Sequence, residues 1–378
     1  MTGTRTQPRP RGGPSRRAAL VGCGAALLGT VGPRGTHPAA ANPVPSLCDL
    51  GRRKGIEVGA AFSGHADPDY RALVAGQVGL ITPEWCLKPG YVHPDRHGPY
   101  RFAAADEAYR FARSAALGVH GHTLFWHGDP LAWAAELGPS EGFRAYRDVA
   151  AALVSRYPDT VSWDVANEVV SETGPLWRGQ LGLPVNAEAV AGLFRHVGAL
   201  APKRLLCLND YNLECGAAWC RDKQARMIRA VDELRARGAP VGAIGLQGHL
   251  SSRHGLDLDA TLAFVRQLAS RGLEVHLSEL DVNDVVLADA VERRDEQVAD
   301  LYRTYLSALL SEPAVSRITF WGLTDFDHWM TRGEAEDVRP AGQARPALFD
   351  RSLRPKPSFW AVAECLRDAP ARRPSRRG

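Results

Sequence analysis

Three observations predict an α/β protein that folds as a single-domain (β/α)8 TIM barrel over residues 42–368. Eight continuous apolar segments alternate with segments of helical spacing, which is typical of a parallel sheet covered by helices. Eight is also the number of strands that closes a TIM barrel. No glycine-rich phosphate loop follows the first strand, which disfavours the rival open, doubly wound sheet.

Local signals place the strands and helices. Strands are predicted at residues 57–62, 80–84, 119–126, 161–168, 204–211, 243–249, 274–282 and 318–325. Helices are predicted at residues 68–78, 102–117, 141–157, 186–200, 218–237, 259–271, 289–311 and 357–367. Asp67 and Asn186 are expected to cap two of these helices, Pro68 suits a first helical position, and Gly238 suits a helix end.

The first 41 residues predict a targeting segment. Arg16 and Arg17 precede an apolar stretch that ends at Val31, as in a twin-arginine signal. The three alanines at residues 39–41 offer a cleavage site. We therefore expect a periplasmic or secreted protein. Residues 20–23 also match a lipobox ending in Cys23, so a lipoprotein is the competing prediction.

The positive formal charge of +4 comes from the two ends. Residues 1–41 and 369–378, the second predicted to be a disordered basic tail, hold ten of the 46 basic residues and none of the 42 acidic ones. The body is therefore acidic, which predicts no nucleic-acid partner. No segment reaches the roughly 18 apolar residues that a membrane span needs. We expect a monomer without stable membrane insertion.

Beyond the targeting segment, six cysteines remain, an even number that export would allow to form disulfides. Cys215 and Cys220 are close enough in sequence to close a small loop, but the sequence does not fix the pairing. No CxxC pattern is present, which disfavours a cysteine zinc site.

Carboxylates at the ends of two non-adjacent strands indicate the chemistry. Glu168 ends the fourth predicted strand, and Glu279 and Asp281 end the seventh. A charged side chain after an apolar run is costly unless it is paired or used. Paired carboxylates are typical of glycoside hydrolysis. Polar and aromatic residues also end most other strands, where TIM barrels place their active sites.

Six motifs in this order resemble glycoside hydrolase family 10, the endo-β-1,4-xylanases. They are Gly121-His122-Thr123-Leu124-Phe125-Trp126-His127, Trp163-Asp164-Val165-Ala166-Asn167-Glu168, Asn209-Asp210-Tyr211-Asn212, Gly245-Leu246-Gln247-Gly248-His249, Ser278-Glu279-Leu280-Asp281 and Phe320-Trp321-Gly322-Leu323-Thr324-Asp325. The resemblance covers residues 47–367 and implies a retaining endo-glycosidase that cleaves β-1,4 bonds in xylan without a cofactor.

The resemblance also implies residue roles. Glu168 would be the general acid/base, which must hold its proton near neutral pH, and Glu279 the nucleophile, which must stay ionised. His249 would lie between Glu279 and Asp281, with Asp281 as its orienting partner. Asn167 would hold the sugar 2-hydroxyl, so the strand must end or bulge there for both Asn167 and Glu168 to reach substrate.

The other implied substrate contacts are hydroxyl binders and aromatic sugar platforms. They are Glu84, Lys88, His122, Trp126, Tyr211, Gln247, Trp321 and Trp329. Asn212 is expected on the leaving-group side with Tyr211.

Three positions depart from the family pattern on the non-reducing side. Trp85 stands where the family has an Asn that binds the next sugar, Pro89 replaces a Trp, and Asp129 replaces a Gln. The same mechanism on a related β-glycan is therefore an alternative. Asp129 is either a sugar contact or part of a solvated loop.

Two alternative functions come from other classes of protein, a metal-dependent barrel hydrolase and a non-catalytic binder. His120 and His122 share a strand face, as metal ligands do in some barrel hydrolases, although no further ligand set is evident and His120 is expected to pack as a core polar residue. A non-catalytic glycan-binding protein is the second alternative, but a binder needs no acid/nucleophile pair. Trp163 and Trp360 are predicted to lie in the core.

Overall fold

The computed structural model describes residues 44–179, 183–333 and 337–372. The predicted targeting segment, residues 1–41, lies outside this range, as do residues 373–378 of the predicted tail. The four tail residues within it, 369–372, are part of the fold, contrary to prediction. Ala369 is buried, and the backbone N–H of Arg372 donates to the carbonyl of Lys54 at 3.0 Å.

Eight parallel strands close into a barrel, as the alternation of elements predicts. Each strand pairs in parallel with the next around the ring, and β6 pairs directly with β8 while β9 pairs with β1. A ninth short strand, β7, extends the sheet beside the far half of β8. The strands are β1 (Glu57–Phe62), β2 (Leu80–Pro83), β3 (Gly118–Gly121), β4 (Ser162–Asn167), β5 (Leu205–Asp210), β6 (Ala243–Leu246), β7 (His249–Ser251), β8 (Glu274–Asn283) and β9 (Val315–Phe320).

Helices surround the barrel. They are α1 (Leu47–Arg52), α2 (Pro68–Gln77), α3 (Pro89–Val92), α4 (Ala103–Ser114), α5 (Pro139–Arg156), α6 (Ala187–Leu200), α7 (Ala218–Ala236), α8 (Leu258–Ser270), α9 (Val291–Leu309), α10 (Trp329–Arg332) and α11 (Pro357–Asp368), with a 3-10 helix at Ala132–Leu137. The predicted caps are present, because Asp67 and Asn186 each accept a backbone N–H from the first turn at 2.9 Å. The four shortest helices were not predicted; a single turn has too little periodicity to be recognised.

Three strands end earlier than predicted, one where buried apolar residues continue past the sheet and two just before a glycine. The third was predicted to reach residue 126, yet β3 ends at Gly121, and Leu124 and Phe125 are fully buried in the loop that follows. The sixth and eighth end before glycines with positive φ, +74° at Gly248 and +112° at Gly322. Only glycine adopts this backbone conformation without strain, and it turns the chain out of the sheet.

The core contains Trp163, as predicted, with 1% of its surface exposed, but Trp360 is 37% exposed and was wrongly assigned to it. On α11, Phe359, Val362 and Leu366 face inward at helical spacing, so Trp360 points outward. Cys215 and Cys220 form a disulfide, and the other four described cysteines are free.

Across the described ranges, no helix combines the length and apolar character needed to cross a bilayer.

The packing of β3 against β4 depends on Gly121. A Cβ atom there would lie 2.0 Å from the buried ring of Trp163, so we expect Gly121→Ala to lower the free energy of unfolding by about 1–3 kcal/mol, the usual cost of overpacking. The matched control is Gly76→Ala in α2, where a Cβ meets no atom within 4 Å and should stabilise the helix slightly. Thermal unfolding of both variants checks this; equal melting temperatures would contradict it.

Candidate active site

A cleft of about 430 Å³ opens at the carboxyl ends of the barrel strands. All predicted catalytic and substrate-binding residues line it, together with Asn212. The lining residues are Glu84, Lys88, His122, Trp126, Asn167, Glu168, Tyr211, Asn212, Gln247, His249, Glu279, Trp321 and Trp329. Asp281 lies beneath them, fully buried and bonded to His249.

The end of β4 brings both Asn167 and Glu168 to the cleft. The register of β4 against β5 shifts between Asp164 and Ala166, and β4 ends at Asn167. Glu168 then adopts a left-handed backbone with φ +56°, which is uncommon and strained for a residue other than glycine. Its N–H donates to the carbonyl of Asn209 at 2.9 Å. The strand therefore ends where the sequence required it to end or bulge.

Glu279 lies within β8 and is 5% exposed. The register of β8 against β9 shifts between Leu277 and Leu280, which is a second irregularity at the level of the cleft. The N–H of Glu279 donates to the carbonyl of Gln247 at 2.8 Å. The Glu279 carboxylate accepts hydrogen bonds on both oxygens, on Oε1 from Asn209 Nδ2 at 2.6 Å and on Oε2 from His249 Nε2 at 3.2 Å.

Amide side chains connect the two carboxylates. Asn209 Nδ2 also donates to Asn167 Oδ1 at 2.9 Å. Gln247 Nε2 lies 3.3 Å from Asn167 Oδ1 and 3.2 Å from Glu168 Oε1, and Asn167 Nδ2 lies 3.3 Å from the same Glu168 oxygen. The network holds both carboxylates relative to each other.

Asn209 and Ser278 are site residues that the sequence-based site assignment missed. Ser278 Oγ donates to Asn209 Oδ1 at 2.5 Å, which fixes the amide so that its Nδ2 faces Glu279. Gly245 provides the space, because a Cβ there would lie 2.0 Å from Asn209 Oδ1. The available signal was the position of Asn209 at the end of an apolar strand.

His249 is held between two acids. Its Nδ1 donates to Asp281 Oδ1 at 2.8 Å and its Nε2 donates to Glu279 at 3.2 Å. Burial lowers the pKa of His249, but Asp281 and then Glu279 outweigh burial and raise that pKa well above its usual 6.5. Trp329 Nε1 donates to Asp281 Oδ2 at 2.7 Å. A protonated His249 therefore carries a positive charge to Glu279, and Asp281 holds it in place.

Glu168 has a different environment. His127 Nε2 lies 3.7 Å from Glu168 Oε2 and accepts a hydrogen bond from Arg178 Nη1 at 3.1 Å. Burial lowers the pKa of His127, although Glu168 opposes this effect. The imidazole is therefore neutral. Arg178 also donates to the Tyr211 hydroxyl at 2.5 Å. His127 and Arg178 were not predicted as site residues, and Arg178 lies in a long loop without a recognisable pattern.

The opposite end of the cleft carries a cation on an aromatic face. Lys88 Nζ lies 4.3 Å from the centre of the Trp126 ring. Burial lowers the pKa of Lys88, with Glu279 and Glu84 opposing. Glu84 pairs with Arg332 at 2.7 Å, and burial nevertheless raises the pKa of Glu84.

Of the three positions that depart from the family pattern, Asp129 and Pro89 serve α3. Asp129 Oδ2 accepts the N–H of Tyr91 at 3.1 Å, and Pro89 is buried at the first position of the helix. Asp129 is therefore bonded to the helix start rather than forming part of a solvated loop. Trp85 stands beside the cleft with 38% of its surface exposed.

The two histidines weighed as metal ligands are bonded to one acid. His120 Nε2 and His122 Nδ1 lie 3.0 and 2.9 Å from Asp164 Oδ2. Burial raises the pKa of Asp164, but the two histidines outweigh burial and lower it. His120 packs in the core, as predicted. Within residues 44–179, 183–333 and 337–372, no group of three or more His, Cys, Asp or Glu side chains is arranged to hold a metal ion.

Known proteins are similar to this chain in sequence and in fold. The family model for glycosyl hydrolase family 10 matches residues 46–365. The chain is 30% identical over 349 residues to endo-1,4-β-xylanase B of Paenibacillus barcinonensis, an alignment that covers 84% of this chain and 98% of the relative.

Two solved structures resemble the barrel closely. Native xylanase 10B from Thermotoga maritima has a TM-score of 0.76 at 29% identity, with 85% of this chain and 98% of that chain covered. Xylanase 10B from Thermotoga petrophila in complex with xylobiose has a TM-score of 0.74 at 28% identity, with 87% and 98% covered.

Protonation of His249 predicts how stability depends on pH. Because folding raises the pKa of His249, its stabilising contribution is complete below about pH 6.5 and is lost as pH rises through the raised pKa. We expect His249→Gln to lower the free energy of unfolding by about 1–3 kcal/mol at pH 6, and the difference from wild type to shrink at higher pH.

Urea unfolding of both proteins at a series of pH values measures this difference. His254→Gln, at an exposed loop position, is the matched control and should unfold like wild type. A difference that stays constant or grows with rising pH would contradict a charged His249.

Proposed function

The chain belongs to glycosyl hydrolase family 10, and on that premise we propose that it is an endo-1,4-β-xylanase that acts by retaining double displacement. Relatives named endo-1,4-β-xylanase align with most of this chain. The observation that carries the mechanism is a pair of carboxylates, Glu168 and Glu279, in one cleft, joined by an amide network but with different hydrogen-bond partners.

The surroundings of the two carboxylates support their proposed roles. Glu279 accepts hydrogen bonds from Asn209 and from charged His249, which favours its ionised form, so it is the nucleophile. Glu168 accepts only amide hydrogen bonds on Oε1 within the described residues, and neutral His127 lies nearest Oε2. This environment supports Glu168 as the general acid/base.

Two steps complete the reaction. Glu279 attacks the anomeric carbon while Glu168 gives its proton to the departing glycosidic oxygen, which leaves a glycosyl-enzyme ester. Glu168 then removes a proton from water, the water oxygen attacks the anomeric carbon, and the bond to Glu279 breaks. This mechanism requires the carboxyl groups to lie roughly 5–5.5 Å apart.

The remaining lining residues bind the sugar chain. Asn167, fixed by Asn209, is placed to hold the 2-hydroxyl, a contact that strengthens in the transition state. His122 uses Nδ1 on Asp164, which leaves Nε2 for substrate, and Lys88 and Gln247 supply further donors. Trp126, Trp321 and Trp329 offer ring faces to the apolar faces of pyranoses.

A related β-glycan is the second candidate substrate. The observation that favours it is Trp85, an exposed indole where the family has an amide. An indole recognises the apolar face of a sugar ring and does not discriminate the positions of the sugar hydroxyls. Hydrolysis of a panel of β-1,4- and β-1,3-linked polysaccharides, with product analysis, decides between xylan and such a glycan.

We also propose that the protein is exported from the cell. A polysaccharide substrate lies outside the cell that secretes the enzyme, and the Arg16–Arg17 segment precedes the domain. The disulfide between Cys215 and Cys220 supports an oxidising compartment. A fusion of residues 1–41 to a reporter, with both arginines changed to lysine as control, tests it: loss of export only in the control supports the twin-arginine route, and cytoplasmic retention of both fusions contradicts export.

The acid role of Glu168 predicts a dependence on the leaving group. With 4-nitrophenyl β-xylobioside, we expect Glu168→Gln to lower kcat/KM by roughly 10²–10⁴-fold. With 2,4-dinitrophenyl β-xylobioside the loss should be far smaller, because dinitrophenolate departs without a proton. Steady-state kinetics measure both. Glu141→Gln, on the exposed face of α5, is the control, and an equal loss on both substrates in Glu168→Gln would contradict the assignment.

The nucleophile predicts a different pattern. Glu279→Gln should abolish turnover of both aryl xylobiosides. A good leaving group removes the need for an acid, but it does not replace the nucleophile. Incubation with EDTA should leave wild-type turnover unchanged. Loss with EDTA would favour a metal-dependent hydrolase, and absence of turnover in the wild type would favour a glycan-binding protein.

A further inference from the structure

We propose that an aromatic rim, formed by Trp85, His65 and Phe326, extends the substrate cleft and binds the second and third sugars on the non-reducing side. Trp85 takes the second sugar by its ring face. This inference rests on the proposed function, because that function gives the cleft its direction.

The direction follows from the acid. Glu168 protonates the departing oxygen, so the leaving group lies on its side, beside Tyr211 and Asn212 after β5. In the ring of eight strands, β1 lies opposite β5. The sugars on the non-reducing side must therefore run toward the loops after β1 and β2, where Glu84 and Lys88 line the cleft.

Trp85 is held in place at that end. Its Nε1 donates to the carbonyl of Ser63 at 2.7 Å, and its ring meets the Tyr91 ring edge-on, with centres 4.6 Å apart and planes at 89°. The backbone N–H of Tyr91 is in turn bonded to Asp129. The polar edge of the indole is thus used within the protein, while 38% of the residue remains exposed.

The aromatic surface continues beyond Trp85. Phe326, also 38% exposed, meets the His65 ring edge-on, with centres 4.8 Å apart. Ser63 connects the two parts, because its carbonyl binds Trp85 and its hydroxyl donates to Asp327, the neighbour of Phe326. Exposed aromatic side chains beside a cleft are suited to contact the apolar faces of sugar rings.

The charges at this end do not compete for the sugar. Arg332 pairs with Glu84 and Asp327, each at 2.7 Å, so both carboxylates are engaged in ion pairs within the protein. The occupant that fits is a neutral pyranose of the same chain. A flat indole face excludes water from the apolar face of the sugar and contributes without directional hydrogen bonds.

The structure offers a matched control. Trp360 is 37% exposed, nearly the same as Trp85, but it lies on the closing helix α11 and contacts Phe359 instead of the cleft loops. Replacing either tryptophan removes the same exposed side chain, so only the position differs.

The test is the gain in kcat/KM from 4-nitrophenyl β-xyloside to 4-nitrophenyl β-xylobioside, with the full chain. We expect Trp85→Ala to reduce this ratio about tenfold, as for truncation of an aromatic contact residue. Trp85→Phe, which keeps a ring face, should restore most of the ratio, and Trp360→Ala should keep the wild-type value. Phe326→Ala should reduce the further gain on the xylotrioside.

Each result decides a different point. An unchanged ratio in Trp85→Ala, or an equal loss on both substrates, overturns the proposal. If Trp85→Ala does not fold, the conservative variant decides, since a Trp85→Phe protein without a preference for the xylobioside also overturns it. A wild type that cleaves none of the aryl xylosides would contradict the proposed function, whatever the variants do.

Discussion

The hydrogen bond between protonated His249 and the Glu279 carboxylate is the interaction on which the site depends. A buried carboxylate is unfavourable without compensation, and Glu279 is almost fully buried. His249 can supply the charge only because Asp281 holds its other nitrogen and raises its pKa. Trp329 then fixes Asp281 while its own ring lines the cleft. Charge compensation and sugar binding therefore share one set of contacts.

The barrel provides this arrangement through departures from regular strand geometry. Regular alternation would point Asn167 and Glu168 in opposite directions, and the left-handed backbone at Glu168 brings both to the cleft. The register of β8 against β9 also shifts, between Leu277 and Leu280, so a second irregularity lies beside Glu279. The amide network supports this strained backbone. Within the network, Ser278 orients Asn209 so that Nδ2 faces Glu279, and Gln247 turns its Nε2 toward Glu168. Two chemically identical carboxylates thereby acquire different hydrogen-bond partners.

Much of this could be predicted from sequence, and the remainder has physical reasons. Continuous apolar segments located every barrel strand. Strand ends located the two carboxylates, because TIM barrels place their active sites at that edge, and the family resemblance added the remaining cleft residues. Strand ends themselves were missed where buried Leu124 and Phe125 mimic a longer strand. Asn209, Ser278 and His127 lie within the quoted motifs, but the partners that they bind are distant in sequence, so the motifs alone do not give their contacts. Arg178 lies outside every motif. The outward position of Trp360 was visible in helical spacing but was overlooked.

The central claim, covalent capture of the sugar by Glu279 with Glu168 as acid, has one direct measurement. Proton NMR of a xylo-oligosaccharide during hydrolysis shows which anomer of the new reducing end forms before mutarotation. Two displacements at the anomeric carbon predict that the β anomer appears first. Initial formation of the α anomer would mean a single displacement by water and would contradict the account.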